Sequence, residues 1–336
     1  MKHILHPSSI LLRASPGNTD EAFCRVAIDL IPRPRFGGPR TRCRVFTGNA
    51  GDGNPAWTRP CIIPIMRDHF LPIRPAIVSF SGGRTSGYLL HQVIHAHGGT
   101  LPDDVIPVFA NTGREHPATY TFVQTIMDRW NVPVHWVEYI PEKPLVRRVM
   151  PHEADRDGKV FESLVARRKF LPNPLARFCT SEMKVLAIRR YAKRILGWKD
   201  GWTTMIGIRA DEPRRVAKIK DHLDEIKVCP LARAGVTVEE VNAFWSAHPF
   251  DLGFPPGDNS SGNCYGCFLK TRRTIERLMS EDPRRMQWWV DMEERMGGAK
   301  FRKDFPSYGQ MMHQVTIQGQ LYTGPGEDIA CGACTD

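Results

Sequence analysis

The stretch Ala76–Leu90, AIVSFSGGRTSGYLL, decides how the rest of the chain is read. It opens on a short β-rich apolar run, breaks at Gly82-Gly83, and resumes with Tyr88, Leu89, Leu90 and Val93 at helical spacing. The pattern predicts strand, glycine turn, helix. Such a turn brings backbone N–H groups close to an anion, because glycine lacks a Cβ and the first amides of a helix have no internal acceptors. Ser81, Thr85 and Ser86 add hydroxyls, and Arg84 adds a guanidinium fork suited to phosphate. The other reading of these residues is an ordinary strand–helix turn rich in glycine and serine.

Outward from this loop the pattern alternates. Strands are expected at Ala76–Phe80, Val105–Ala110, Val134–Tyr139 and Thr203–Ile208, with helices near Thr85–His97, Pro117–Trp130 and Ser181–Leu196. Alternation of this kind predicts an α/β fold built on a doubly wound, mostly parallel sheet. Ligands of such sheets lie at the carboxyl ends of the strands. Three polar loops fall there: SGGRTS, the segment Asn111-Thr112-Gly113 with Arg114, Glu115 and His116, and GIRADEPRR at Gly207–Arg215. Glu115, Asp211 and Glu212 are contacts for Mg²⁺ or ribose, or solvated loop acids; His116 is a base or a structural helix-start residue.

The segment Pro141–Phe178 carries nine Lys/Arg, Arg147, Arg148, Arg156, Arg167, Arg168, Lys169 and Arg177 among them, with few periodic apolar positions, and reads as a long crossover loop, either a lid over a polyanion or a solvated face. Beyond it, helices are expected at Val238–His248 and Pro283–Arg295, packing Trp245, Trp288 and Trp289 as core. Residues 1–65 hold eight Pro and six Gly without sustained periodicity, and read as a disordered or mis-annotated N-terminal extension, with a natural start at Met66. Domain boundaries follow as 72–228 for the nucleotide-binding α/β part and 229–336 for a small cysteine-containing helical region.

The net charge of +10 is uneven: residues 1–65 hold nine Lys/Arg against four Asp/Glu, half of the excess. A general nucleic-acid binder is thereby disfavoured, although a local basic groove remains open and nucleic acid stays on the list of partners. No run approaches a membrane span or a secretory signal, so a cytoplasmic protein with no membrane partner is expected. In a reducing compartment, clustered cysteines point to metal or redox chemistry. Cys264 and Cys267 form a C-x-x-C in GNCYGCFLK; with Cys179 and Cys229 they make four thiols suited to zinc or a 4Fe-4S cluster, Cys179 and Cys229 being alternatively buried free cysteines. Cys331 and Cys334 lie in the last residues, as redox thiols, metal ligands or neither.

From Ala76 to about Lys270 the chain resembles the phosphoadenosine phosphosulfate (PAPS) reductase family, of the adenine nucleotide alpha hydrolase-like (PP-loop) superfamily. SFSGGRTS resembles the PP-loop, with Arg84 and Thr85 where the commoner pyrophosphatase form has Lys and Asp; FANTGREHPATYTFV, CTSEMKV, GIRADEPRR, KVCPLARAGVTVEEV and GNCYGCFLK resemble further family segments in the family's order. The resemblance implies a nucleotide (PAPS, APS or ATP, with Mg²⁺ in the ATP form) held by Ser81, Gly82, Gly83, Arg84, Thr85, Ser86, Asn111, Thr112, Gly113, Glu115, Gly207 and Arg209. It gives catalytic roles to Ser81, Arg84, Lys184 and Arg209, Lys184 aligning with a substrate-binding lysine.

It also implies a 4Fe-4S cluster, zinc being the alternative, on Cys179, Cys229, Cys264 and Cys267. Phe178-Cys179 stands where cluster-bearing members have a Cys-Cys pair, and Cys229 is the expected replacement ligand. The family's C-terminal Glu-Cys-Gly-x-His is absent, Ala330-Cys331-Gly332 being only an echo. The implied activity is sulfonucleotide reduction or sulfur transfer, with a thiol reductant or sulfur-donor protein as partner. The alternatives are ATP-dependent thiolation of tRNA or DNA, and a non-catalytic nucleotide or nucleic-acid binding module.

Overall fold

The structure is a computed structural model that describes residues 68–255, 258, 262 and 264–318, together with the backbone of two short strands near the N-terminus. Those strands, β1 (Val26–Ile28) and β2 (Cys43–Val45), pair antiparallel inside a first unit, Met1–Arg67. The other readings for residues 1–65, and those for Cys331 and Cys334, lie outside the described residues. The described residues from Asp68 onward belong to a second compact unit.

Its sheet begins with β3 (Ala76–Ser79), followed by the glycine loop and α1 (Arg84–Ala96). Next come β4 (Val105–Asn111), α2 (Pro117–Trp130), β5 (His135–Glu138), β6 (Arg147–Val149) and α3 (Lys159–Arg168). A composite helical run joins α4 (Phe178–Thr180), a π segment Ser181–Val185, α5 (Leu186–Arg190) and a second π segment Tyr191–Ile195. The chain then forms β7 (Trp202–Ile206), α6 (Pro213–Val216), β8 (Glu225–Val228), α7 (Pro230–Arg233) and α8 (Val238–Ala247). It closes with α9 (Arg272–Glu281), α10 (Pro283–Arg295) and α11 (Tyr308–Gln318).

The six strands lie in the order β6-β5-β4-β3-β7-β8, parallel throughout except for the β5–β6 edge pair. Because the chain leaves β3 for β4 on one side and later returns to β7 on the other, the strand order reverses at β3. The glycine loop therefore emerges where helix connections part and leave a crevice. β4 is buried along all seven residues, as a central strand covered on both faces must be. Helix ends follow their local chemistry: His116 caps α2 through the Ala118 amide with Pro117 at the first position, Asn131 closes it in the left-handed region, and Asp282 caps α10 through the Arg285 amide.

Three features depart from the sequence expectations. Pro141–Phe178 is not one loop, because Val160, Phe161, Leu164 and Val165 form a buried stripe at helical spacing that the surrounding arginines hide. Ser181–Leu196 is a helix twice widened into π turns rather than a uniform α-helix. Short β8 and the charged helix α9, with only Thr274, Ile275, Leu278 and Met279 buried, carried too little apolar pattern to be expected. Among the described residues no helix is long and apolar enough to cross a membrane.

Candidate active site

The loop after β3 is knitted by one hydroxyl. Ser86 Oγ accepts from the amides of Ser81 and Gly83 at 3.2 and 3.3 Å and donates to Gly83 O at 3.0 Å, with Ser81 Oγ also 3.0 Å away. The first helical bond is Gly87 N to Gly83 O, so the amides of Arg84, Thr85 and Ser86 precede the α1 ladder. Gly82 is required twice over: its φ is +76°, and a Cβ there would sit 2.5 Å from Thr119 Cγ2 and 3.2 Å from Phe109. Gly207 brings the β7 loop against the same turn, since its Cβ would lie 3.2 Å from Ser86 Cα. Arg209 completes the contact by donating to Thr85 Oγ1 at 3.0 Å while holding Asp211 through two nitrogens at 3.0 Å.

Arg84 does not present its fork to this loop as the sequence suggested. It is 7% exposed; Nε and Nη2 grip the Asp251 carboxylate, Nη2 also donates to Phe254 O, and Nη1 donates to Pro255 O and Asp258 O. A guanidinium has five N–H donors, and here five acceptors meet them. Arg84 therefore clamps the segment that leads to the cysteines. Asp251, 167 residues away, gave no sequence signal.

At the neighbouring end of β4, Asn111 is likewise occupied internally. It donates to Glu138 and Asp155 O, and accepts from the Gly113 amide and Tyr120. Glu115 is buried against Lys184 at 3.5 Å, accepts from Thr112 Oγ1 at 2.9 Å, and faces the Cys264 thiol at 3.8 Å; its second oxygen has no partner among the described residues. A β-bridge between Glu115 and Cys264 and a bond from Tyr265 N to Arg114 O lock the C-x-x-C turn onto this loop. The acids proposed for Mg²⁺ are all engaged: Glu115 by Lys184, Asp211 by Arg209, and Glu212 by Arg215 and Arg209. His116 keeps the structural role, capping α2 against Phe254 and Tyr265.

Cys179, Cys264 and Cys267 line one small cavity of about 30 Å³ with Lys184, Met183, Phe161 and Trp289. Burial pushes the Cys179 thiol up to about 11, with the neighbouring Cys267 adding to it. Burial and the Glu115 carboxylate raise Cys264 further, while Lys184 pulls it back. Cys229 is elsewhere: it caps α7 beyond β8, three strands from β4, which at roughly 4.8 Å per strand spacing is on the order of 14 Å. Thiolates sharing a zinc sit about 2.3 Å from it. The four-cysteine set thus does not fit one metal centre, because β8 carries its fourth member away from the other three. Among the described residues no group of three or more His, Cys, Asp or Glu is arranged to hold a metal ion.

Residues 75–251 match the family model of the phosphoadenosine phosphosulfate reductase domain, which spans more than half of the chain. The chain belongs to this family. The PAPS reductase domain so defined contains the glycine loop, Glu115, Cys179, Lys184 and Arg209, and it ends at Asp251, the acid held by Arg84. An uncharacterized nin region protein of Escherichia phage lambda, ORF290, is 34% identical over 206 residues, covering 59% of this chain and 67% of that protein. A crystal structure of phosphoadenylyl-sulfate (PAPS) reductase from Candida auris, in a phosphate complex, shares 20% identity over 56% of this chain and 84% of that one, with a TM-score of 0.36.

Two half-buried histidines make the fold sensitive to acid. Burial, then Lys270 and Arg285, lowers His116 to about 4, and burial with Arg148 does the same to His135, which bonds Tyr191 at 2.7 Å. Between pH of about 6.5, the unfolded value, and about 4, the unfolded chain binds more protons, so each histidine's contribution is complete above the former and lost towards the latter. Partial exposure limits each to about 2 kcal/mol. Thermal unfolding followed from neutral pH downward is expected to show a shallower loss of Tm for His135→Asn than for wild type; equal slopes would refute the assignment.

Proposed function

We propose that this PAPS reductase-family chain binds a sulfonucleotide with its phosphate on the Arg84, Thr85 and Ser86 amides of the glycine loop and reduces it with the thiols at the end of β4. The observation that carries this reading is the Cys264 thiol facing the buried Glu115–Lys184 pair, one strand over from the loop. A nucleophile, a base within hydrogen-bond reach and a third group orienting the base are the parts thiol chemistry requires. The thiol is held protonated, so a neighbouring acceptor is needed to form the thiolate.

In the proposed reaction Cys264 passes its proton to Glu115 and attacks the sulfonate sulfur. The S–O bond breaks and its electron pair leaves with the adenosine phosphate, whose developing charge meets the loop amides and Lys184. Cys267 then loses its proton and attacks the Cys264 sulfur, forming a Cys264–Cys267 disulfide and expelling sulfite. An external dithiol partner returns both cysteines to thiols. Arg84 acts from behind, holding the segment that precedes the cysteine turn.

The test is sulfite release from PAPS and from APS with a dithiol reductant present, run beside AMP formation from ATP. Wild type is expected to release sulfite. Cys264→Ser should abolish release, and Glu115→Gln should lower kcat by about 100-fold or more, the usual weight of a positioned base. Turnover of ATP alone, or of neither nucleotide type, would sink the reading.

A further inference from the structure

A second chamber is lined by Arg114 and Trp288, neither of which lines the thiol cavity. It is an open cleft of about 650 Å³ between the start of α2, the turn before α3 and the first turns of α10. None of the glycine-loop residues, Gly207, Arg209 or the cysteines lines it. Four arginines do: Arg114, Arg156, Arg284 and Arg285.

Their surroundings separate fixed cations from available ones. Arg114 is 5% exposed, lies 4.8 Å over the Trp288 ring and donates to Arg285 O at 2.6 Å, leaving Nε without a partner among the described residues. Arg285 is held by Asp282 at 3.3 Å. Arg156, exposed on the α3 side, lies 4.8 Å over the Tyr120 ring and among the described residues is bonded only through Nη2 to Pro151 O at 3.2 Å. Arg284, exposed on the α10 side, has no hydrogen-bond or ion-pair partner among the described residues. Of the acids of the cleft, Asp282 pairs with Arg285 and Asp291 accepts from Gln287 at 2.9 Å, while Asp157 is exposed with Lys159 3.9 Å away.

We propose that this cleft binds the sugar–phosphate backbone of a nucleic-acid strand. Guanidinium forks match phosphate oxygens, and here they project from both walls of a chamber far larger than one phosphate. Trp288 and Tyr120 are buried, and a face of each lies under Arg114 and Arg156, so neither offers an open ring on which a base could stack. Recognition is therefore of phosphates and independent of sequence. This inference goes beyond the sulfonucleotide reading and does not rest on it, since the two sites share no residue.

The test uses the full chain and a labelled mixed-sequence single-stranded oligonucleotide, with fluorescence anisotropy measured over a series of salt concentrations. Residues 1–65 carry their own positive surplus, so the readout is the difference between wild type and an Arg156→Ala/Arg284→Ala variant. Each lost phosphate contact should flatten the slope of log K against log salt by about 0.7. Tm and sulfite release should remain unchanged. No binding by wild type, an identical slope in the variant, or full displacement of the oligonucleotide by a mononucleotide or by a poly-glutamate peptide at equal charge concentration would overturn the proposal.

Discussion

Arg84→Ala is expected to lower stability by about 3 kcal/mol, a drop in Tm of roughly 6–10 °C for a unit of this size. The substitution strands the Asp251 carboxylate, which is 28% exposed at its side chain, and frees three carbonyls from their donor. Solvent reaches the acid, so the loss falls at the lower end of the range for a broken buried pair. Arg84→Lys keeps the charge but supplies three donors in place of a planar fork, and an intermediate loss is expected. A Tm for Arg84→Ala within about 2 °C of wild type, outside the range given above, would show that the clamp contributes nothing. If Arg84 were instead a phosphate ligand, the variant would keep its Tm and lose only nucleotide affinity, so the two roles part cleanly in one experiment.

Trp289→Ala should cost more, about 3–5 kcal/mol, the range for deleting a large buried aromatic side chain. Trp289 is fully buried, packs against Phe161, Phe301 and Tyr308, and donates to Tyr265 O at 2.7 Å. It is also a wall of the thiol cavity. The same variant should therefore label faster than wild type with a maleimide under native conditions, at Cys267 above all. Trp289→Phe preserves most of the packing and loses the bond to Tyr265, so about 1–2 kcal/mol is expected there. Unchanged labelling in Trp289→Ala would mean that the cavity is closed by other side chains.

The alternating strands and helices were legible because each has a period the eye can count: AIVS, VIPVFAN and WTTMI are strand-length apolar runs, and α2 announces itself by Pro117 and its capping histidine. The thiol site was legible in part. Cys179, Lys184, Cys264 and Glu115 were named from sequence, and the fold gathers them at one strand end. Cys229 joins them in the sequence by the count of thiols and as the replacement for the family's missing Cys, and only strand order moves it away: sequence distance says nothing about β8 taking the far edge.

The clamp made by Arg84 leaves no trace in the sequence for a related reason. Its role depends on Asp251 and three carbonyls far along the chain, and side chain–backbone bonds of that separation leave no periodic mark. Helix α3 was lost among arginines because its buried stripe is only four residues wide.

Trp288 and Trp289 are consecutive on α10, yet they serve different rooms: the first lines the arginine cleft and the second the thiol cavity. Successive residues of a helix point about 100° apart, so α10 is a partition with one indole on each side. A substitution at Trp288 therefore alters the cleft and one at Trp289 the thiol cavity, although the two positions adjoin in the chain.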